Sequence, residues 1–239
     1  MSPASASRET WLKARLELLA EEKAFTLARE ALAAKRRTLP AYRIDKPYMF
    51  QTARGPQPLT ELFGRHSQLI VYHFMFGPDW QQGCKSCSFW ADNFNGITIH
   101  LNQRDVALVG ISSAPLEKLL AFRQRMGWQF DWVSSAGTSF NSDFGVTGQP
   151  GETLLYNFDK PKQDAGELPG ISVFAKTPSG EVMHSYSCYA RGLDMMNAAY
   201  QFLDLVPKGR DEDQLPNTMS WVRLHDRYDE VPSPDRRGA

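Results

Sequence analysis

Residues 69–76 read Leu-Ile-Val-Tyr-His-Phe-Met-Phe, a short unbroken apolar run rich in strand-forming side chains. Its length and composition predict a buried strand. A similar run, Val-Ala-Leu-Val-Gly-Ile, occupies residues 106–111, and residues 130–133 alternate like a third strand. Between these runs the period changes. Residues 88–94 open a helix expected to reach about Gly96, and Leu116, Leu119, Leu120, Phe122 and Met126 recur at helical spacing behind Pro115. Proline stands there where the first turn of a helix tolerates a missing N–H.

The flanks read differently. Residues 8–37 contain neither Gly nor Pro, and Leu12, Leu16, Leu19, Leu27 and Ala31 recur near helical spacing until Pro40. They predict one long helix or two short ones, solvated on one face. Residues 54–58 (Arg-Gly-Pro-Gln-Pro) read as a turn and 59–63 as a short helical turn. Residues 134–170, rich in Gly, Ser, Asn, Asp and Pro, read as long loops with room for one short helix. Residues 170–190 predict a hairpin about Pro178-Ser179-Gly180, and period-two alternation puts Val182, His184, Tyr186 and Cys188 on one face of its second strand. A last helix is expected over 193–205. The expected divisions are an N-terminal helical extension (1–41), an α/β domain (42–207) and a polar C-terminal tail (208–239) with Trp221, Val222 and Leu224 as its anchor.

Composition narrows the field. The chain has 239 residues, enough for a sizeable core, with 27 Lys and Arg against 27 Asp and Glu. A net charge of zero gives no field that would gather nucleic acid or an anionic membrane surface, so neither is expected as a partner. The longest apolar run falls far short of the ~20 residues of a membrane helix. The first thirty residues show no secretory pattern. Three cysteines are too few for a structural disulfide framework, which favours a reducing compartment, the cytoplasm by default.

Two of those cysteines carry the candidate chemistry. Cys84-Lys85-Ser86-Cys87 lies between the first predicted strand and the helix that follows. A thiol at a helix start meets free N–H groups that stabilise a thiolate, and Lys85 adds a positive charge nearby. Cys84 is therefore expected as the exposed nucleophile and Cys87 as the resolving thiol. Two ordinary half-buried cysteines are the bland alternative. Half of a zinc site is another, since His184 and Cys188 share a predicted strand face and could complete it. Cys188 otherwise reads as a small core side chain, and His73 and His184 as hydrogen-bonded histidines.

The order strand, dithiol helix, strand, helix, strand, then hairpin and helix gives two parallel crossovers followed by an antiparallel hairpin. That is the order of a thioredoxin-like α/β core, a central mixed sheet flanked by helices. The chain also resembles a bacterial thioredoxin-like family of unknown function, described as predicted dithiol-disulfide oxidoreductases. The resemblance rests on Tyr72-His73-Phe74-Met75-Phe76-Gly77-Pro78 and Gly83-Cys84-x-x-Cys87-Ser88-Phe89-Trp90-Ala91-Asp92. Arg125-Met126-Gly127-Trp128, Trp132-Val133-Ser134-Ser135, Phe140-Asn141-x-Asp143-Phe144-Gly145 and Tyr189-Ala190-Arg191-Gly192 extend it over about residues 42–210.

It implies a redox dithiol at Cys84 and Cys87 and, at Pro169, the cis-proline that thioredoxin-like proteins place before the first hairpin strand. A plain trans loop proline is the rival. Trp80, in the loop before the dithiol, is expected to form a lip over the thiols. One departure is Gly83, since thioredoxins carry a tryptophan directly before the first cysteine. Peroxiredoxins share the core, but the Thr or Ser they place three residues before the reactive cysteine is Gln81 here.

The reading that follows is a thiol–disulfide oxidoreductase. Catalytic Cys84 and Cys87 act with Trp80 and Pro169 at the substrate site, and without a metal or other cofactor. Its expected partners are a protein or small-molecule thiol or disulfide and a recycling reductase, and a homo-oligomer is open to it. The alternatives are a peroxiredoxin-like peroxidase, or a redox-inactive interaction protein holding a structural metal at the cysteines.

Overall fold

The computed structural model describes residues 4–148, 150–163 and 165–228. The chain opens on α1 (Arg8–Arg37), started by Ser7, whose hydroxyl accepts from the Thr10 N–H at 3.1 Å. It is one continuous helix with no buried residue, and it reaches the body at Arg36, whose guanidinium lies 5.5 Å from the centre of the Tyr186 ring.

Among the described residues ten strands follow: β1 (Tyr42–Arg43), β2 (Met49–Thr52), β3 (Gly55–Pro58), β4 (Gln68–His73), β5 (Val106–Ser112), β6 (Asp131–Ser134), β7 (Thr153–Tyr156), β8 (Lys160–Gln163), β9 (Gly170–Lys176) and β10 (Val182–Tyr189). Interleaved with them are α2 (Lys85–Ala91), α3 (Thr98–Asn102), α4 (Leu116–Arg125), α5 (Phe140–Asp143) and α6 (Ala198–Leu203). The main sheet runs β1-β10-β9-β4-β5-β6-β2-β3. In it β4, β5 and β6 are parallel, while β9 lies antiparallel beside β4 and β10 pairs antiparallel with β9. This is the thioredoxin-like arrangement, with β4 central and the dithiol helix springing from its end.

Alternation along β4 divides the core. Ile70 and Tyr72 face a layer holding Cys87 and Trp90 of α2, Leu119 and Phe122 of α4, and Leu224 near the C-terminus. Leu69 and Val71 face the other layer, with Phe50, Phe63, Phe140 and Phe174. The strand ends at His73, short of the predicted Phe76, and Phe74 and Phe76 remain buried beyond it.

Five expectations change. Residues 54–58 are not only a turn: Gly55–Pro58 pairs with β2 as a hairpin, and its two prolines are tolerated because β3 is the sheet edge. The 134–170 segment contains α5 and the β7–β8 hairpin. The dithiol helix stops at Ala91, where the Asn93 side-chain amide takes the Phe89 and Trp90 carbonyls at 2.8 and 3.1 Å. The predicted 193–205 helix is a 3₁₀ stretch, Ala190–Met196, followed by α6, which Asn197 starts by accepting from the Tyr200 N–H at 3.2 Å.

The fifth change matters most for the chemistry. The β9–β10 register shifts between His184 and Tyr186, so His184 pairs with Phe174 whereas Tyr186 and Cys188 pair with Val173 and Ile171. This bulge turns His184 to the opposite face from Cys188. The expected shared face does not exist.

Candidate active site

Phe74 and Phe76 carry the chain past β4 into the loop before α2, and Gly83 is the tight point of that loop. A Cβ there would lie 2.8 Å from the Phe74 ring and 2.9 Å from the Phe122 ring. No side chain fits, which is why a glycine stands where thioredoxins carry tryptophan. Cys84 follows as the cap of α2. Its N–H donates to the Met75 carbonyl at 3.1 Å, and its carbonyl accepts from the Ser88 N–H and hydroxyl, each at 2.9 Å.

Both thiols are free, Cys84 partly exposed and Cys87 buried. They differ electrostatically. The Cys84 thiol is lowered to about 6, first by the hydrogen bond it receives from the Cys87 thiol, then by the N–H groups of Cys87 and Ser86 and the Ser86 hydroxyl, against the opposing effect of burial. Burial pushes Cys87 well up, and so does its partnership with the Cys84 thiolate. Two weaker contacts favour a Cys87 thiolate: the Met75 N–H, 3.4 Å from its sulfur, and the Tyr72 hydroxyl, which also reaches the Cys87 carbonyl at 3.5 Å. The pair is thus one stabilised thiolate beside one protonated thiol. Lys85 plays a smaller part than expected, since its ammonium donates to the Ser220 carbonyl at 3.2 Å.

Beside Cys87 lies a cavity of about 300 Å³ walled by Tyr72, Met75, Trp90, Pro169 and Leu193. Pro169 therefore shares a space with Cys87. No cis peptide bond occurs among the described residues, so of the two readings of Pro169 the trans loop proline is the one present. With its N–H absent and its carbonyl accepting from the Tyr156 hydroxyl at 2.7 Å, the loop is held without that isomer. Trp80 is 38% exposed and lies over Gly77, 3.0 Å from where a Cβ would stand, and it is not among the residues that wall the cavity.

Cys188 is buried, and burial raises its thiol. His73 turns to the other layer and is fully buried, its Nε2 2.8 Å from the Ser172 hydroxyl. Burial lowers it to about 3, so it stays neutral. Among the described residues no three His, Cys, Asp or Glu side chains gather as a metal site, and the bulge separates the two that the zinc reading required.

Several neighbours had no signal in the sequence. Tyr72 sits inside an apolar run and Tyr156 inside a stretch read as loop. Away from the dithiol, Glu167 in the same stretch is a half-buried carboxyl that burial raises, accepting from the Ser113 hydroxyl at 2.5 Å. Loop composition does not show which polar side chain turns inward.

The profile of a family described as "Bacterial protein of unknown function (DUF899)" matches residues 1–228. No curated protein sequence matches the chain. Among solved structures, peroxidoxin BcpB from Mycobacterium tuberculosis is similar at 16% identity and a TM-score of 0.46, over 67% of this chain and 94% of that one. A peroxiredoxin Q from Xanthomonas campestris is similar at 19% identity and TM-score 0.43, over 69% and 95%. The mitochondrial 2-Cys peroxiredoxin from Plasmodium falciparum is similar at 14% identity and TM-score 0.42, over 70% and 94%.

Proposed function

The chain belongs to the DUF899 family of bacterial proteins of unknown function, and from that premise we propose that it is a thiol–disulfide oxidoreductase working through Cys84 and Cys87. The observation that carries the reading is the asymmetric pair: a partly exposed thiol lowered to about 6, hydrogen-bonded by a buried thiol that is pushed up. Exchange is fastest for a thiolate whose pKa lies near ambient pH, and Cys84 meets that condition.

In this reading the Cys84 thiolate attacks one sulfur of a substrate disulfide, forming a mixed disulfide and releasing the other half as a thiolate. Cys87 then loses its proton and attacks the Cys84 sulfur. The second half leaves as a thiolate, and two electrons have passed from the dithiol to the substrate. An external dithiol reductase restores the pair. The compartment we assign is a reducing one, the cytoplasm. Self-association through exposed apolar side chains of α1 is the oligomeric arrangement we propose.

Trapping tests the reading. Cys87→Ser should accumulate a long-lived mixed disulfide on Cys84 with a model disulfide, and Cys84→Ser should trap almost none. Mass spectrometry of the adducts decides it: preferential adducts on Cys87 would reverse the roles, and thiols inert in both variants would overturn the proposal.

A further inference from the structure

The cavity beside Cys87 has about 300 Å³ of space. That is about twice the ~150 Å³ apolar cavity that takes up benzene, and it stands at the lower end of small-molecule sites. Trp90, Leu193, Met75 and Met219 make most of its walls apolar, and Ser86 and the ion-paired Arg191 and Asp194 (2.8 Å) complete the lining.

Three main-chain polar groups around it are already engaged. Tyr156 donates its hydroxyl hydrogen to the Pro169 carbonyl at 2.7 Å and accepts from the Ala190 N–H at 2.9 Å. The Leu193 carbonyl accepts from the Trp90 indole at 2.8 Å. An extended peptide is recognised through main-chain hydrogen bonds. Here it would meet a proline with no N–H and an Ala190 N–H that is spoken for.

The walls are also built under constraint. Ala190 (φ 49°) and Met219 (φ 62°), both lining the cavity, hold left-handed backbone that side-chain-bearing residues rarely adopt. Tyr156 holds the first. Glu212 holds the second by accepting from the Met219 N–H at 3.0 Å, while also accepting from the Tyr200 hydroxyl at 2.8 Å and the Trp221 indole at 2.6 Å. Such a wall is formed before any ligand arrives.

We infer that this cavity takes the apolar body of a small-molecule disulfide, of the size of an aryl or short alkyl disulfide, and that extended polypeptides are not the substrate class. The inference rests on the dithiol reading above. In the mixed disulfide formed on Cys84, the half that remains bonded lays its apolar group against Trp90 and Leu193. Attack by Cys87 on the Cys84 sulfur then expels that half as a thiolate, which takes up a proton and leaves.

Two measurements on the full chain test it. Fully reduced protein is mixed with diphenyl disulfide or with a short peptide disulfide in single turnover, each rate constant being divided by that for free cysteine thiolate. The normalised preference for diphenyl disulfide should be at least about tenfold, the discrimination of one filled apolar pocket. Separately, diphenylmethane, which has no redox chemistry, should bind by titration. Met219→Trp, or the milder Met219→Phe, should weaken that binding and narrow the preference.

Equal normalised rates for the two disulfides, or no binding of diphenylmethane, would overturn the cavity assignment and leave the dithiol reading standing. Thiols that no disulfide oxidises, with diphenylmethane still bound and displaced by Met219→Trp, would overturn the dithiol reading and leave the apolar site.

Discussion

At the scale of single residues, the two cysteines are three positions apart yet shifted in opposite directions, and the cause is mutual. Cys87 donates to Cys84, which lowers one thiol and raises the other. Because α2 has only seven residues, nearby donors matter more than the summed dipole of a long helix. The sign follows directly. Alkylation of Cys84 by iodoacetamide should rise with pH through a midpoint near 6 and level off above it. Cys87→Ala removes the largest cause, so the midpoint should move upward, and an unmoved midpoint would remove Cys87 from the account. The placement of the two cysteines, one partly exposed at the start of α2 and one buried within it, was legible because spacing and helix position order them. Tyr72 and Tyr156 were not, because a tyrosine in an apolar run or a loop looks the same wherever its hydroxyl points.

At the scale of elements, strands and helices with strong periodicity were legible and interruptions were not. β4, β5 and α4 follow from their apolar patterns, and α1 from the absence of Gly and Pro. The bulge in β10 inserts one residue into an otherwise regular alternation, and nothing local to Ser185 announces it. The β2–β3 hairpin was hidden by prolines that only an edge strand accepts.

α1 raises a different question, since its length was readable but its covering was not. Trp11, Leu18, Phe25 and Leu32 recur every seventh residue and all stand exposed, Phe25 by 69%. The half from Arg8 to Glu22 has net charge −1 and the half from Lys23 to Arg37 has +4. Antiparallel pairing with a second copy sets unlike halves together along a helix about 45 Å long. Deleting residues 1–40 should abolish a concentration-dependent dimer seen by sedimentation and leave the thiols reactive. Lys35→Glu with Arg37→Glu should weaken that dimer, and a tighter one would indicate parallel pairing. A full chain that stays monomeric at every concentration would sink the pairing altogether.

At the scale of the whole molecule, the C-terminal segment is part of the site it overlies. Beyond the boundary that composition placed near residue 207, the expected anchor residues Val222 and Leu224 are buried at 0% and 4% exposure, and Met219 closes one wall of the cavity. The segment is fastened over α2 and α4 by polar contacts. Arg125 donates to both Asp226 oxygens at 2.8 and 3.0 Å, His225 Nδ1 lies 2.7 Å from Asp92, and Lys85 reaches the Ser220 carbonyl. These ties are partly exposed and individually weak, so the two buried side chains carry the attachment. Burying each is worth about 1.5–3 kcal/mol, so their joint loss is a large fraction of the ~5–15 kcal/mol of a typical domain. A chain ending at Pro207 should therefore unfold at clearly lower urea, and it should bind more of an apolar dye than the full chain does. Its Cys84 should still titrate low, because the donors that stabilise the thiolate lie within α2. An unchanged urea midpoint would mean that the segment only rests on the core. A Cys84 midpoint restored to that of an ordinary cysteine would mean that the segment, not the Cys87 thiol, sets the thiolate.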